Sequence, residues 1–213
     1  YLCIINFQTI TTMGRFNLSK GERFKIAKSE GLSKIKVVLD WNSDADLDAS
    51  TFLCGDEGVI LDDAGFVFYN SENREQPFDR AVFGNKRKWM AETRPMSSDG
   101  AVLGSLDDRN GGSGEQIDVD LDKVDPNVCE IVFVVSIHDE GMTFGDVKDA
   151  FISVVNAVND EELCRYELNE AFTEETALSV AKLVVNEDGD WEFEAVGVGH
   201  VGGLETLIDI YAS

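Results

Sequence analysis

Ile117-Asp118-Val119-Asp120-Leu121 alternates apolar and acidic residues without a break. Successive side chains of an extended chain point to opposite faces, so this stretch reads as a strand with one face in a core and the other in water. Similar chemistry recurs on both sides of it. Ile35–Asp40, Gly65–Tyr69, Ile131–Ile137, Ala150–Val155, Leu163–Leu168, Leu178–Val185 and Trp191–Val198 are rich in β-branched and aromatic residues. Asn186–Asp190 (NEDGD) has Asp-Gly at its centre, the signature of a hairpin turn. Many strands at short spacing, with few helical patterns, predict a mostly β chain folded as a two-sheet β-sandwich with one or two short helices. A short helical turn is expected at Thr143–Lys148 and a last helix at Leu204–Tyr211.

The charge sets the next constraint. Asp and Glu number 41 against 18 Lys and Arg, a net −23 over 213 residues. Such a surplus repels itself in a compact fold, and a multivalent cation held by clustered carboxylates relieves the repulsion. It also disfavours nucleic acid and anionic membranes as general partners. No apolar run is long enough for a transmembrane segment. Three of the four cysteines (Cys3, Cys54 and Cys129, but not Cys164) sit in apolar runs and read as core thiols of a reducing compartment.

Residues 72–94 run against the general charge. They hold six basic and four acidic residues, so this segment is +2 and the rest of the chain −25. The segment reads as a loop inserted in one domain spanning 14–213, preceded by an N-terminal arm or processing remnant at 1–13. A positive loop on a negative body suits contact with another copy of the chain, or folds back over its own acidic surface.

Asp44-Ala-Asp46-Leu-Asp48 places three carboxylates at alternate positions. On an extended chain all three point to one side and Ala45, Leu47 and Ala49 to the other. Like charges in a row destabilise a strand unless something neutralises them, and hard oxygens in this density suit calcium. An EF-hand is excluded, because counting from Asp44 puts Ala49 at the position that needs glycine and Gly55 at the position that needs glutamate. Further oxygen donors come from Asp62-Asp63 ahead of FVFYN, which ends in Asn70, and from the glycine-rich stretch holding Asp107, Asp108, Asn110 and Glu115. A sandwich gathers such loops at one end of its sheets. His138-Asp139 follows IVFVVSI and reads as a hydrogen-bonded pair or an outer support to a metal site. No nucleophile elbow or zinc constellation accompanies it, so no enzyme is expected.

In these residues the chain resembles the TerD family, the tellurium-resistance and general stress domain. The matching stretches are NLSKGERFKI, DADLDAS, GFVFYN, the run from Asp99 to Leu121, IVFVVSIHD, FGDVKDAFISVVN, ELCRYEL, EETA and WEFEAVGVG followed by GGL. They keep the family's order over roughly Asn17 to Leu207. The resemblance implies a non-catalytic, cytoplasmic calcium-binding module that works through protein–protein contacts in a tellurite- or phage-resistance system. It carries Asp44, Asp46, Asp48, Asn70, Asp107, Asp108 and Glu115 onto the family's metal ligands, with Asp63, His138 and Asp139 as weaker or outer members. Gly65 and Ser71 replace an acidic residue and a second asparagine, and only Gly114 precedes Glu115 where the family has two aspartates. These departures leave one calcium ion expected and remove ligands from a second. The alternative is an assembly protein that uses the same fold as a scaffold, its copies tied by residues 1–13 and 72–94.

Overall fold

Alternation and β-branching produce twelve strands among the described residues of the computed structural model, which are 16–27, 31–43, 45–106, 114–139, 141–168 and 171–213. In chain order they are Phe16–Leu18 (β1), Arg23–Ile26 (β2), Lys34–Asp40 (β3), Leu47–Cys54 (β4), Phe66–Val67 (β5) and Val102–Leu103 (β6). Glu115–Asp120 (β7), Glu130–Ile137 (β8), Phe151–Asn156 (β9), Glu162–Glu167 (β10), Ala177–Val185 (β11) and Trp191–His200 (β12) follow. The helices are Arg80–Phe83 (α1), Lys86–Glu92 (α2) and Gly203–Tyr211 (α3). The strands form two six-stranded sheets, ordered β1-β10-β9-β3-β7-β6 and β2-β12-β11-β8-β4-β5. All pairings are antiparallel except β1 with β10. This is the expected two-sheet sandwich. The possible arm at 1–13 lies outside the described residues.

The first sheet follows the alternation of its sequence. Ile117, Val119 and Leu121 are buried between the sheets, while Asp118 and Asp120 face out, where Arg94 and Lys34 meet them. The second sheet is apolar on both faces at its centre, which is why β8 reads as a continuous apolar run. Ile131, Phe133 and Val135 join the core between the sheets. Val132 and Val134 turn the other way and join Phe52, Cys54 and Leu207 in a second cluster beneath α3. α3 is fastened at its end, where the Ile60 amide donates to the Tyr211 carbonyl at 2.8 Å. The Tyr211 hydroxyl lies 3.0 Å from Ser179 Oγ, itself 3.0 Å from His200 Nε2. Burial lowers the His200 pKa, so the ring is neutral in this arrangement at neutral pH.

Three sequence expectations change. Thr143–Lys148 does not form an α-helix: the Asp146 amide donates to the Thr143 carbonyl at 3.0 Å and the Val147 amide to the Phe144 carbonyl at 3.3 Å, tight turns that are not continued. Cys129 is exposed rather than core, whereas Cys54 and Cys164 are buried. Desolvation pushes both buried thiols up to about 12, so they are inert at neutral pH. Residues 72–94 form an ordered lobe rather than a bare loop, with α1 capped by Asp79 and α2 by Asn85. Two of its cations point inward. Arg94 pairs with Asp118 and donates to the carbonyls of Gly104 and Leu103, and Arg74 is buried in the lobe's base.

Candidate metal centre

β4 supplies the start of the centre. Ala45 and Leu47 are buried at 0% and 3% exposure, so Asp46 and Asp48 take the opposite side of the chain, each half-buried. The alternation read from the sequence is therefore present from Ala45 onward, although regular pairing begins only at Leu47, opposite Ile137. Asp44 lies outside the described residues. No lysine or arginine pairs with the Asp46 carboxylate among the described residues.

His138 and Asp139 act on this segment from the end of β8. The His138 amide donates to the Asp46 carbonyl at 2.9 Å. The Asp46 amide donates to Asp139 Oδ2 at 3.0 Å. Asp46 is thus clamped on both sides of its backbone, which leaves its carboxylate available. The His138 ring itself is largely exposed and places Nδ1 3.8 Å from Asp48 Oδ2. Its other neighbour is Tyr69, edge to face at 6.4 Å between ring centroids.

Tyr69 arrives there because of strand direction. The register Thr51↔Val67 and Phe52↔Phe66 runs β5 back along β4 towards its Asp48 end, and Tyr69 and Asn70 continue that way. Asn70 is exposed. The same register sends Asp63 the other way. It opens a 3-10 turn, Asp63–Gly65, near the Cys54 end of β4, where Ile60 bridges to Cys54. Asp63 is therefore not brought to Asp46 and Asp48. Glu115 opens β7 on the same inward face as Ile117, is 8% exposed, and shares a slot of about 10 Å³ with Leu39, Ala49 and Phe133. Ala49 and Asp48 are neighbours on one strand and face opposite ways, so Glu115 looks towards the interior side of β4 and Asp48 towards its outer side. Asp107 and Asp108 lie outside the described residues.

The sequence reading passed over several groups here. Ser50 sits two residues past Asp48 on the same side of β4, 1% exposed. Its hydroxyl and that of Ser43, next to Asp44, are buried without a hydrogen-bond partner among the described residues. The signal for Ser50 was available in DLDAS, since i and i+2 share a face. Trp41 Nε1 donates to the Ala45 carbonyl at 3.0 Å and holds the entry to the segment. Gly114 is also constrained, because a Cβ there would meet the Leu39 carbonyl at 2.5 Å. Among the described residues no three His, Cys, Asp or Glu side chains enclose an ion by themselves. The Asp46 and Asp48 carboxylates and the Ser50 hydroxyl lie on one side of the chain, and Asn70 follows β5 towards that end of β4. All are oxygen donors, the hard type that suits calcium rather than zinc or copper.

The TerD domain model matches residues 14–211. Tellurium resistance protein TerD of Serratia marcescens is 35% identical over 208 residues, covering 92% of this chain and 96% of that protein. General stress protein 16U of Bacillus subtilis is 34% identical over 209 residues, covering 92% and 96%. Among solved structures, a homologue of telluride resistance protein (TerD) from Streptomyces coelicolor superposes with a TM-score of 0.58 at 20% identity, covering 84% of this chain and 95% of that one. The last likeness concerns the fold alone. The chain belongs to the TerD family. No helix among the described residues is long and apolar enough to cross a membrane.

Proposed function

We propose that this chain is a non-catalytic calcium-binding module of a cytoplasmic tellurium-resistance or stress system, acting through protein–protein contacts. The observation that carries the reading is the pairing of Asp46 and Asp48 on one side of β4, with Asp46 clamped by His138 and Asp139. Asp46, Asp48 and Asn70, with the unpartnered hydroxyls of Ser43 and Ser50, are the described residues that would hold the ion. A bound calcium would supply two positive charges where the carboxylates repel one another. The protein's own contribution is to hold the backbone of Asp46 in place before any ion arrives. The names of the relatives, tellurium resistance protein TerD and general stress protein 16U, support the setting.

Calorimetric and thermal titration with calcium tests it. At 100 to 1,000 times Kd, saturation is expected to stabilise the fold by about 3–4 kcal/mol. Asp46→Asn combined with Asp48→Asn should remove both the heat and the stabilisation. Absence of either signal in the unaltered chain sinks the calcium reading.

The assembly reading draws on what the lobe still shows to solvent. Phe78 and Val82 are exposed, and among the described residues no carboxylate pairs with Arg80 or Arg87. If copies join through this surface, sedimentation should give a mass above the monomer that drops on Arg80→Glu plus Arg87→Glu. A monomer before and after the change leaves the binding module as the only reading.

A further inference from the structure

Arg74 is 5% exposed and spends its guanidinium on the main chain of two different segments. Nη1 donates to the carbonyls of Tyr69 and Ser71, each at 3.0 Å. Nη2 donates to the Met90 carbonyl at 2.8 Å and also to the Thr93 carbonyl. Nε donates to the Thr93 carbonyl and hydroxyl, both at 3.0 Å, and the group lies 5.8 Å from the centre of the Trp89 ring. Met90 and Thr93 belong to the C-terminal turn of α2, where carbonyls lack helical partners and a cation is favoured. Tyr69 and Ser71 flank Asn70.

One side chain therefore joins the inserted lobe to the turn that presents Asn70. Ser71 closes that turn from within, since its hydroxyl donates to the Phe66 carbonyl at 3.1 Å and accepts from the Phe68 amide at 3.1 Å. The carbonyls on either side of Asn70 are both held by one nitrogen of Arg74. A ligand loop held before binding loses less freedom when the ion arrives, so its affinity depends on what holds it.

We propose that Arg74 is the positioning residue through which the lobe at 72–94 sets the calcium affinity of the Asp46, Asp48 and Asn70 centre; this rests on the calcium reading above. The coupling is reciprocal by thermodynamic necessity, so calcium must also steady the lobe. The chemistry asks for a fork rather than a charge. Lysine at this position offers a single nitrogen and cannot hold both segments at once.

The experiment combines calcium calorimetry with hydrogen exchange on the full chain, as wild type, Arg74→Met and Arg74→Lys. Arg74→Lys keeps the cation and the apolar stem, and serves if the methionine variant does not fold. Arg87→Met, on the exposed side of α2, is the control. Affinity should fall roughly 10- to 100-fold in the Arg74 variants, as for other groups that orient metal ligands, and stay unchanged in the control. In the wild type, calcium should slow exchange of the α2 amides, an effect a purely structural arginine would not produce. Wild-type affinity in a folded Arg74→Lys protein, or α2 exchange indifferent to calcium in the wild type, overturns the proposal while leaving the calcium reading intact. No calcium uptake by the unaltered chain removes both, and is recognised without any variant.

Discussion

Phe133→Ala is expected to lower the unfolding free energy by about 3–5 kcal/mol, the range for losing a buried phenylalanine ring. Phe133 sits in β8 between Thr51 of β4 and Ala181 of β11, 2% exposed, with the Phe193 ring 6.4 Å away. Its strand neighbours are small and cannot reach into the space the ring would leave. Both flanking strands are paired along nearly their whole length, so the sheet cannot collapse inward to fill it. The slot beside the ring holds only about 10 Å³, so the packing around it is tight. Small domains are stable by only about 5–15 kcal/mol, which makes this loss a large share of the whole. Urea unfolding followed by circular dichroism measures it. A loss under about 1 kcal/mol would mean that the two sheets are not packed through this ring.

Phe52→Ala should cost a similar amount, about 3–5 kcal/mol, by a different route. Phe52 is fully buried on the outer side of the same sheet. It stacks on Phe66 with ring centroids 4.5 Å apart and planes 4° apart, and lies 5.0 Å from the Tyr211 ring. Phe66 in turn stacks on Phe68 at 4.3 Å, and Phe68 meets Tyr69 at 5.5 Å. The ring therefore supports both α3 and the strand that leads to the metal centre. Beyond the drop in midpoint, the α3 amides are expected to exchange through local opening rather than global unfolding. Site-resolved exchange on the variant decides the point. If α3 keeps its protection while global stability falls, Phe52 is not what seats the helix.

Much of this architecture is visible in the sequence, and the exceptions are instructive. β7 is legible because Ile117, Val119 and Leu121 alternate with aspartates that gain Arg94 and Lys34 as partners. β8 is legible as a strand but not as a two-faced one, because nothing in IVFVVSI tells that α3 will cover its far side. α1 and α2 are too short for periodicity to register, yet Asp79 and Asn85 mark their starts by ordinary capping chemistry. Thr143–Lys148 shows the converse, a segment with the capping contact of Asp146 on the Thr143 amide that nonetheless stops at tight i→i+3 turns.

At the site, Asp46 and Asp48 follow from alternation once Ala45 and Leu47 are seen as core. Asp63, a weaker member of the expected set, and Asn70, a ligand in it, flank one short apolar run. They lie at opposite ends of it, and an antiparallel strand sends its two ends to opposite ends of its neighbour. Glu115 shares the parity of Ile117 and Val119, so the rule that located the strand also turns this carboxylate inward. The backbone clamp on Asp46 had no sequence signal, since it depends on where β8 ends relative to β4.

The joint made by Arg74 has a consequence for how such a chain changes over generations. Tyr69, Ser71, Met90 and Thr93 all receive it through backbone carbonyls, which every residue carries whatever its side chain. This joint asks one arginine of the lobe and no particular side chain of the turn it holds, unlike the Arg94–Asp118 pair, which needs its carboxylate on β7. At this joint the lobe's exposed surface can change without altering what the turn around Asn70 must supply.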